Sequence, residues 1–137
     1  MALVSWPTQM RGGQPSELNL GLRFGESMNF TVRGSCMAAF DDGASVPVQR
    51  RRVYLPGDVV VIRRRDHWDA HRFLGYAPSA HGLLALTQAD DSDSRDPAAP
   101  AARVVGRAQC HVSVRQRWVA VHDYGRALIA RVFGGTR

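Results

Sequence analysis

Lysine is absent from this chain: all 18 of its basic residues are arginine. A guanidinium does not give up its proton in a protein, so a lysine general base is excluded. Cysteine is scarce. Cys36 and Cys110 stand far apart, with no Cys-x-x-Cys pair and no disulfide-framework spacing, which favours a reducing compartment. Long apolar runs are missing too, for no window approaches the roughly 18 uninterrupted apolar residues of a membrane span. The first residues lack the basic-then-apolar layout of a signal peptide. The expectation is a cytoplasmic protein with neither span nor anchor. No cluster of His, Cys and carboxylates has zinc-site spacing, so no metal and no cofactor are expected. Internal repeats are absent, and helical periodicity is confined to the far end.

What is present suits a single globular domain. The 137 residues, 45% hydrophobic and 22% charged, are enough for one core and too few for two ordinary ones. Residues 1–20, with Pro7, Gly12-Gly13 and Pro15, read as a loosely ordered lead-in to one domain over 21–137. Short apolar runs then alternate with turn residues. Strand character appears at Asn29-Phe30-Thr31-Val32-Arg33, at Val46-Pro47-Val48 (an edge, because proline cannot donate to a central ladder), and most clearly at Asp58-Val59-Val60-Val61-Ile62 after the turn Pro56-Gly57. Asp58 is expected to cap that turn. Ala70 to Tyr76 and Gly82 to Thr87 read as a strand pair joined through Pro78-Ser79-Ala80-His81. Residues 90–102 read as an exposed acidic, Ala/Pro-rich loop, after which strand character resumes at 103–107 and at His111-Val112-Ser113-Val114. Only residues 124–133 look helical. The sum is a mainly β domain with one short C-terminal helix.

Without lysine, any peptide-cleaving chemistry here rests on a thiol and an imidazole. Cys36, in Gly34-Ser35-Cys36-Met37, needs a base or a local positive field to become thiolate near neutral pH, and His71, in Ala70-His71-Arg72, is the residue type that serves. His67, His81, His111 and His122 lack partners at recognisable spacing and read as surface or core residues.

Taken in order, five segments resemble the superfamily that includes signal peptidase I and the SOS-repressor autoproteases: Gly34-Ser35-Cys36-Met37, Asp41-Asp42-Gly43, Pro56-Gly57-Asp58-Val59-Val60-Val61, His71-Arg72, and Thr87-Gln88-Ala89-Asp90 with Asp96-Pro97 ahead of Val104-Val105-Gly106-Arg107. His71 stands where the histidine-base variant has its base, and Cys36 where the family has serine. Gly25-Glu26-Ser27-Met28 also fits the family's Gly-x-Ser-Met pattern, but the acidic turn and strand follow Cys36, and Ser27 falls in the preceding hairpin. Ala39 stands in place of a usual proline, and Ala89-Asp90 in place of a usual Gly-Asp.

The resemblance implies a coiled, partly open β-barrel and a peptidase acting on a peptide or protein substrate. It implies Cys36 as nucleophile, His71 as base, and Asp96 or Asp90 as the carboxylate that orients the imidazole. The Cys36 amide, with Ser35 beside it, is implied for the oxyanion, and Gly34 and Met37 border the substrate. A reading from another class stays open, that of an inactive binding module using Arg50-Arg51-Arg52 and Arg63-Arg64-Arg65 to hold nucleic acid or an acidic protein. Nucleic acid is the weaker partner, because no recognition helix, zinc finger or interleaved aromatic pattern accompanies the charge. For the C-terminal segment, packing onto the sheet is favoured over a peripheral membrane contact.

Overall fold

The structure, a computed structural model, describes residues 3–5, 24–33, 37, 40–65 and 67–134. Among the described residues the strands are β1 (Leu3–Ser5), β2 (Ser27–Arg33), β3 (Ser45–Gln49), β4 (Val59–Arg63), β5 (Trp68–Ser79), β6 (Gly82–Gln88), β7 (Ala99–Pro100) and β8 (Val104–Ala108), and one α-helix, α1, runs Val114–Phe133. The eight strands form one sheet in the order β1-β2-β3-β8-β4-β5-β6-β7, which curls until β1 also meets β5. Every pairing is antiparallel. The fold is mainly β, a curled and partly open barrel with a C-terminal helix, as expected.

Alternation along β4 shows how the layers arise. Val59 and Val61 enter the apolar cluster inside the curl, with Phe30, Val32, Met37, Val46, Val48, Trp68 and Ala70. Val60 and Ile62 point the other way, into a cluster with Tyr54, Phe73, Ala85, Ala99 and Val104. Successive side chains of a strand face opposite sides, so a β-branched run with no polar alternation belongs to a strand covered on both faces. Each large side chain so buried contributes about 1.5–3 kcal/mol.

Turn chemistry follows the residues. Pro56 and Gly57 make the turn that feeds β4: Gly57 has φ +93, the Asp58 amide donates to the Leu55 carbonyl at 3.0 Å, and the Asp58 carboxylate accepts from the Leu55 amide at 2.9 Å. Asp58 thus caps the turn, as expected, and also lies 3.4 Å from Arg107 and 3.2 Å from Arg117.

Several boundaries differ from the sequence reading. Helix α1 is 20 residues long rather than 10, and begins where strand character was expected at His111-Val112-Ser113-Val114. Ser113 accepts from the Gln116 amide while the Gln116 side chain accepts from the Ser113 amide, a reciprocal cap that overrides the β-branched residues around it. Buried residues on the helix are Ala120 and Ala127, whose small side chains produce little periodic signal. β3 is not an edge, since it pairs with β2 throughout and with β8 at Val48 and Gln49; Pro47 stands opposite Asn29 of β2, and on its other side its carbonyl accepts from the Gln109 amide at 2.8 Å. Leu3–Ser5 are a sheet strand, so the lead-in reading fails for them, and residues 6–23 lie outside the described residues. Ala99 is buried in β7, which breaks the exposed loop expected over 90–102.

Candidate active site

His71 sits in the first half of β5, the longest of the described strands, with Val60 of β4 as its register partner. Sheet on both sides and apolar layers above and below leave it only 4% exposed. Its Nδ1 lies 2.5 Å from Oδ2 of Asp96. A carboxylate only accepts, so Nδ1 carries the proton and donates, and Nε2 becomes the nitrogen through which the ring would exchange a proton with a reacting group.

Asp96 is itself held. Its Oδ2 also accepts from the Thr87 hydroxyl at 2.8 Å, and its amide donates to the Thr87 carbonyl at 3.0 Å. Thr87, 1% exposed, is the register partner of Phe73 and so shares the face that His71 presents two residues earlier. The next residue is fixed as well, because Arg64 donates to the Pro97 carbonyl at 3.0 Å while its Nε contacts Asp69 at 3.1 Å. Asp96 is therefore no member of a solvated acidic loop.

Asp90 serves another residue. Arg72 grips it with two parallel contacts, Nε to Oδ1 at 3.0 Å and Nη2 to Oδ2 at 2.7 Å, and sends Nη1 to the Gly57 carbonyl at 2.9 Å. Of the two carboxylates suggested for orienting His71, the geometry brings Asp96 to the ring and gives Asp90 to Arg72. A fork-to-fork pair of this kind is strong and directional. It clamps the start of the 89–98 segment to the turn before β4.

The expected nucleophile segment is bracketed rather than described: Gly34, Ser35 and Cys36 lie outside the described residues. Met37 is described, and the expectation that it borders substrate is corrected, for it is 1% exposed and belongs to the inner apolar cluster. A side chain sealed in the core anchors its segment. Ser27 and Met28, the competing motif, open β2.

Sequence reasoning missed Thr87 and Arg64 as parts of this arrangement. The signal for Thr87 was the period of two along paired strands, which sets Phe73 and Thr87 on the His71 face once the hairpin register is known. The two arginine runs are not a uniform basic face either. Arg64 is used internally, and Arg50 and Arg52 both stack at 5.3 Å over the ring of Phe24.

An open groove of about 960 Å³ runs between the second half of α1 and the 93–98 segment, bordered by Asp93, Asp96, Asp123, Arg126 and Arg131. Asp96 reaches it; His71 is not part of its lining. Cys110, half-buried, packs beside the inner cluster, and burial pushes its thiol pKa up. Among the described residues no three His, Cys, Asp or Glu side chains cluster as a metal site would require. Compared with known proteins, the chain matches no family model, no curated protein and no solved structure.

Proposed function

We propose that the chain is a signal-peptidase-like endopeptidase in which Cys36 is the nucleophile, His71 its base and Asp96 the residue that orients the ring. The observation that carries this reading is the His71–Asp96 contact, with Thr87 on the same carboxylate oxygen. A histidine that is merely structural needs no half-buried carboxylate braced from a second strand. Topology adds support. Leu3 of β1 stands opposite both Arg33, the last residue of β2, and Asp69, two residues before His71. Two strand spacings set Arg33 about 10 Å from Asp69, and Cys36 follows Arg33 by three residues, a reach of about 10 Å. On its other side Met37 is anchored in the cluster that contains Ala70 and Ala89.

The chemistry then balances with no added reagent. His71 Nε2 takes the Cys36 proton, the thiolate attacks the scissile carbonyl carbon, and the backbone amide of Cys36 stabilises the oxyanion. Collapse breaks the C–N bond as the imidazolium protonates the departing amine. Water, deprotonated by His71, cleaves the thioester, releasing the acid and restoring the thiol.

Alkylation of Cys36 with iodoacetamide in a Cys110→Ser background tests this reading. Rapid modification is expected, with a pH midpoint below the value of about 8.5 for a free cysteine, and His71→Ala should slow it. Equal, slow modification of both proteins would reject the peptidase reading in favour of a non-catalytic binding module. Cys110 supplies the internal contrast: in Cys36→Ala protein its raised pKa keeps the thiol protonated to higher pH, so its labelling should rise only on the alkaline side of a free cysteine.

A further inference from the structure

Helix α1 packs on the sheet through a narrow face. Ala120 and Ala127, with Tyr124 and Leu128 beside them, meet Leu74, Ala77 and Leu86. At 100° per residue, Val114, Trp118, Val121, Ile129 and Val132 fall on one stripe, centred about 110° around the helix from the middle of this contact. The stripe is bare: Val114 is 73% exposed, Trp118 69%, Ile129 59% and Val132 73%, and Phe133 beside it is 76% exposed. Scattered single apolar residues on a surface are ordinary, but an aligned row along a 20-residue helix, about 30 Å long, asks for a cover.

Charge selects the cover. The helix carries four arginines, Arg115, Arg117, Arg126 and Arg131, and one acidic residue, Asp123. Arg115 and Arg126, both exposed, line one margin of the stripe together with His122. Two copies of this helix packed stripe to stripe would bring arginine against arginine with almost no carboxylate to meet them. A surface that is apolar within and anionic outside matches both features at once. The neighbourhood repeats the pattern: Arg117 donates to the Pro56 carbonyl at 3.0 Å, which sets the exposed Leu55 and Val53, and the Arg50-Arg51-Arg52 run before them, next to the first turns of α1. Among the described residues no helix is long and apolar enough to cross a membrane. A helix with an apolar stripe, tryptophan on that stripe and arginine at its margin instead lies along the headgroup boundary.

We infer that the outward stripe of α1, with the exposed Val53 and Leu55 beside it, docks the protein peripherally onto an anionic lipid surface. The full chain should co-sediment with phosphatidylcholine/phosphatidylglycerol vesicles, not with phosphatidylcholine alone, and less so as salt rises. Trp118→Asp/Val132→Asp should weaken that partition roughly tenfold or more, and Arg115→Glu/Arg126→Glu should weaken it while leaving the apolar stripe intact. A readout that does not depend on the folding of the aspartate variant is quenching by brominated lipid in the anionic vesicles, expected in the wild-type protein and reduced in Trp118→Phe. Failure of the wild-type protein to bind anionic vesicles, equal binding to neutral ones, or indifference to the substitutions would each overturn the inference. So would a concentration-dependent dimer, abolished by Trp118→Asp/Val132→Asp, in protein that ignores vesicles; that result would assign the stripe to a second copy.

Discussion

His71, Asp96 and Thr87 form a chain of contacts in which each residue limits the next. The Thr87 hydroxyl and the His71 ring share one oxygen of Asp96, so the carboxylate cannot turn without breaking both contacts. Replacing Asp96 with Asn removes the negative charge and supplies an amide NH2 that competes with the carbonyl oxygen for the place beside Nδ1, so the Nδ1–H tautomer is no longer fixed, and the Cys36 alkylation rate at neutral pH should fall by roughly 10²–10⁴, toward that of His71→Ala. Thr87→Val keeps the shape and removes the donor. With Thr87 1% exposed, the loss of a hydrogen bond to a charged group should cost about 1.5–3 kcal/mol, read as a lower urea midpoint at unchanged m-value. At this scale His71 and Asp96 were legible, since an imidazole and an aspartate before a proline are visible as letters. Thr87 was not, because a threonine inside a strand looks like any β-branched residue.

The elements owe their positions to irregularities that no window of sequence displays. Continued without interruption from the pair Ser79↔Gly82, the β5–β6 hairpin would set His71 opposite Asp90; a bulge between Phe73 and Gly75 shifts the register by one residue, and Arg72 stands opposite Gln88. Asp90 then falls to Arg72, and Asp96 is free to reach the histidine. Beside the bulge, helix α1 presses its Tyr124 ring against Gly75 so closely that an added Cβ would lie 2.4 Å from the ring. The Tyr124 hydroxyl also donates to the Tyr76 carbonyl, which keeps the ring in place. Gly75→Ala should therefore destabilise the fold by about 1–3 kcal/mol through overpacking, measured as a lower thermal midpoint, and near-ultraviolet circular dichroism should report the displaced tyrosine. The reciprocal cap of α1, Ser113 with Gln116, went unread because Val112 and Val114 around it look like strand, and the alanines on its buried face concealed the helix that follows.

Across the whole molecule, the curl of the sheet joins segments far apart in the chain. Arg72 links β5, the turn before β4 and the start of the 89–98 segment through Gly57 and Asp90. Its side chain is 8% exposed and that of Asp90 22%, so Arg72→Met should strand a half-screened carboxylate. The expected cost lies at the lower end of the roughly 3–5 kcal/mol seen for broken buried pairs, and restoring an apolar partner with Asp90→Leu in the same protein should recover part of it. Chemical denaturation of the two variants checks both statements. The uncapped stripe of α1 belongs to this scale too, for only the direction in which the helix docks decides which of its sides is left outward.

The sequence by itself determined the mainly β character, the centre of most strands, the Pro56-Gly57 turn and its Asp58 cap, and a short set of candidate side chains. Those properties are local, written in β-branching, in the period of two and in the conformations open to proline and glycine. Only the tertiary structure decided that Asp96 meets His71 while Asp90 meets Arg72, that Met37 is core, that α1 extends back to Val114, and that β1 closes the curl against β5. Each of these depends on contacts between distant segments, where a single bulged residue or a burial shared by two strands changes the outcome without altering any local pattern.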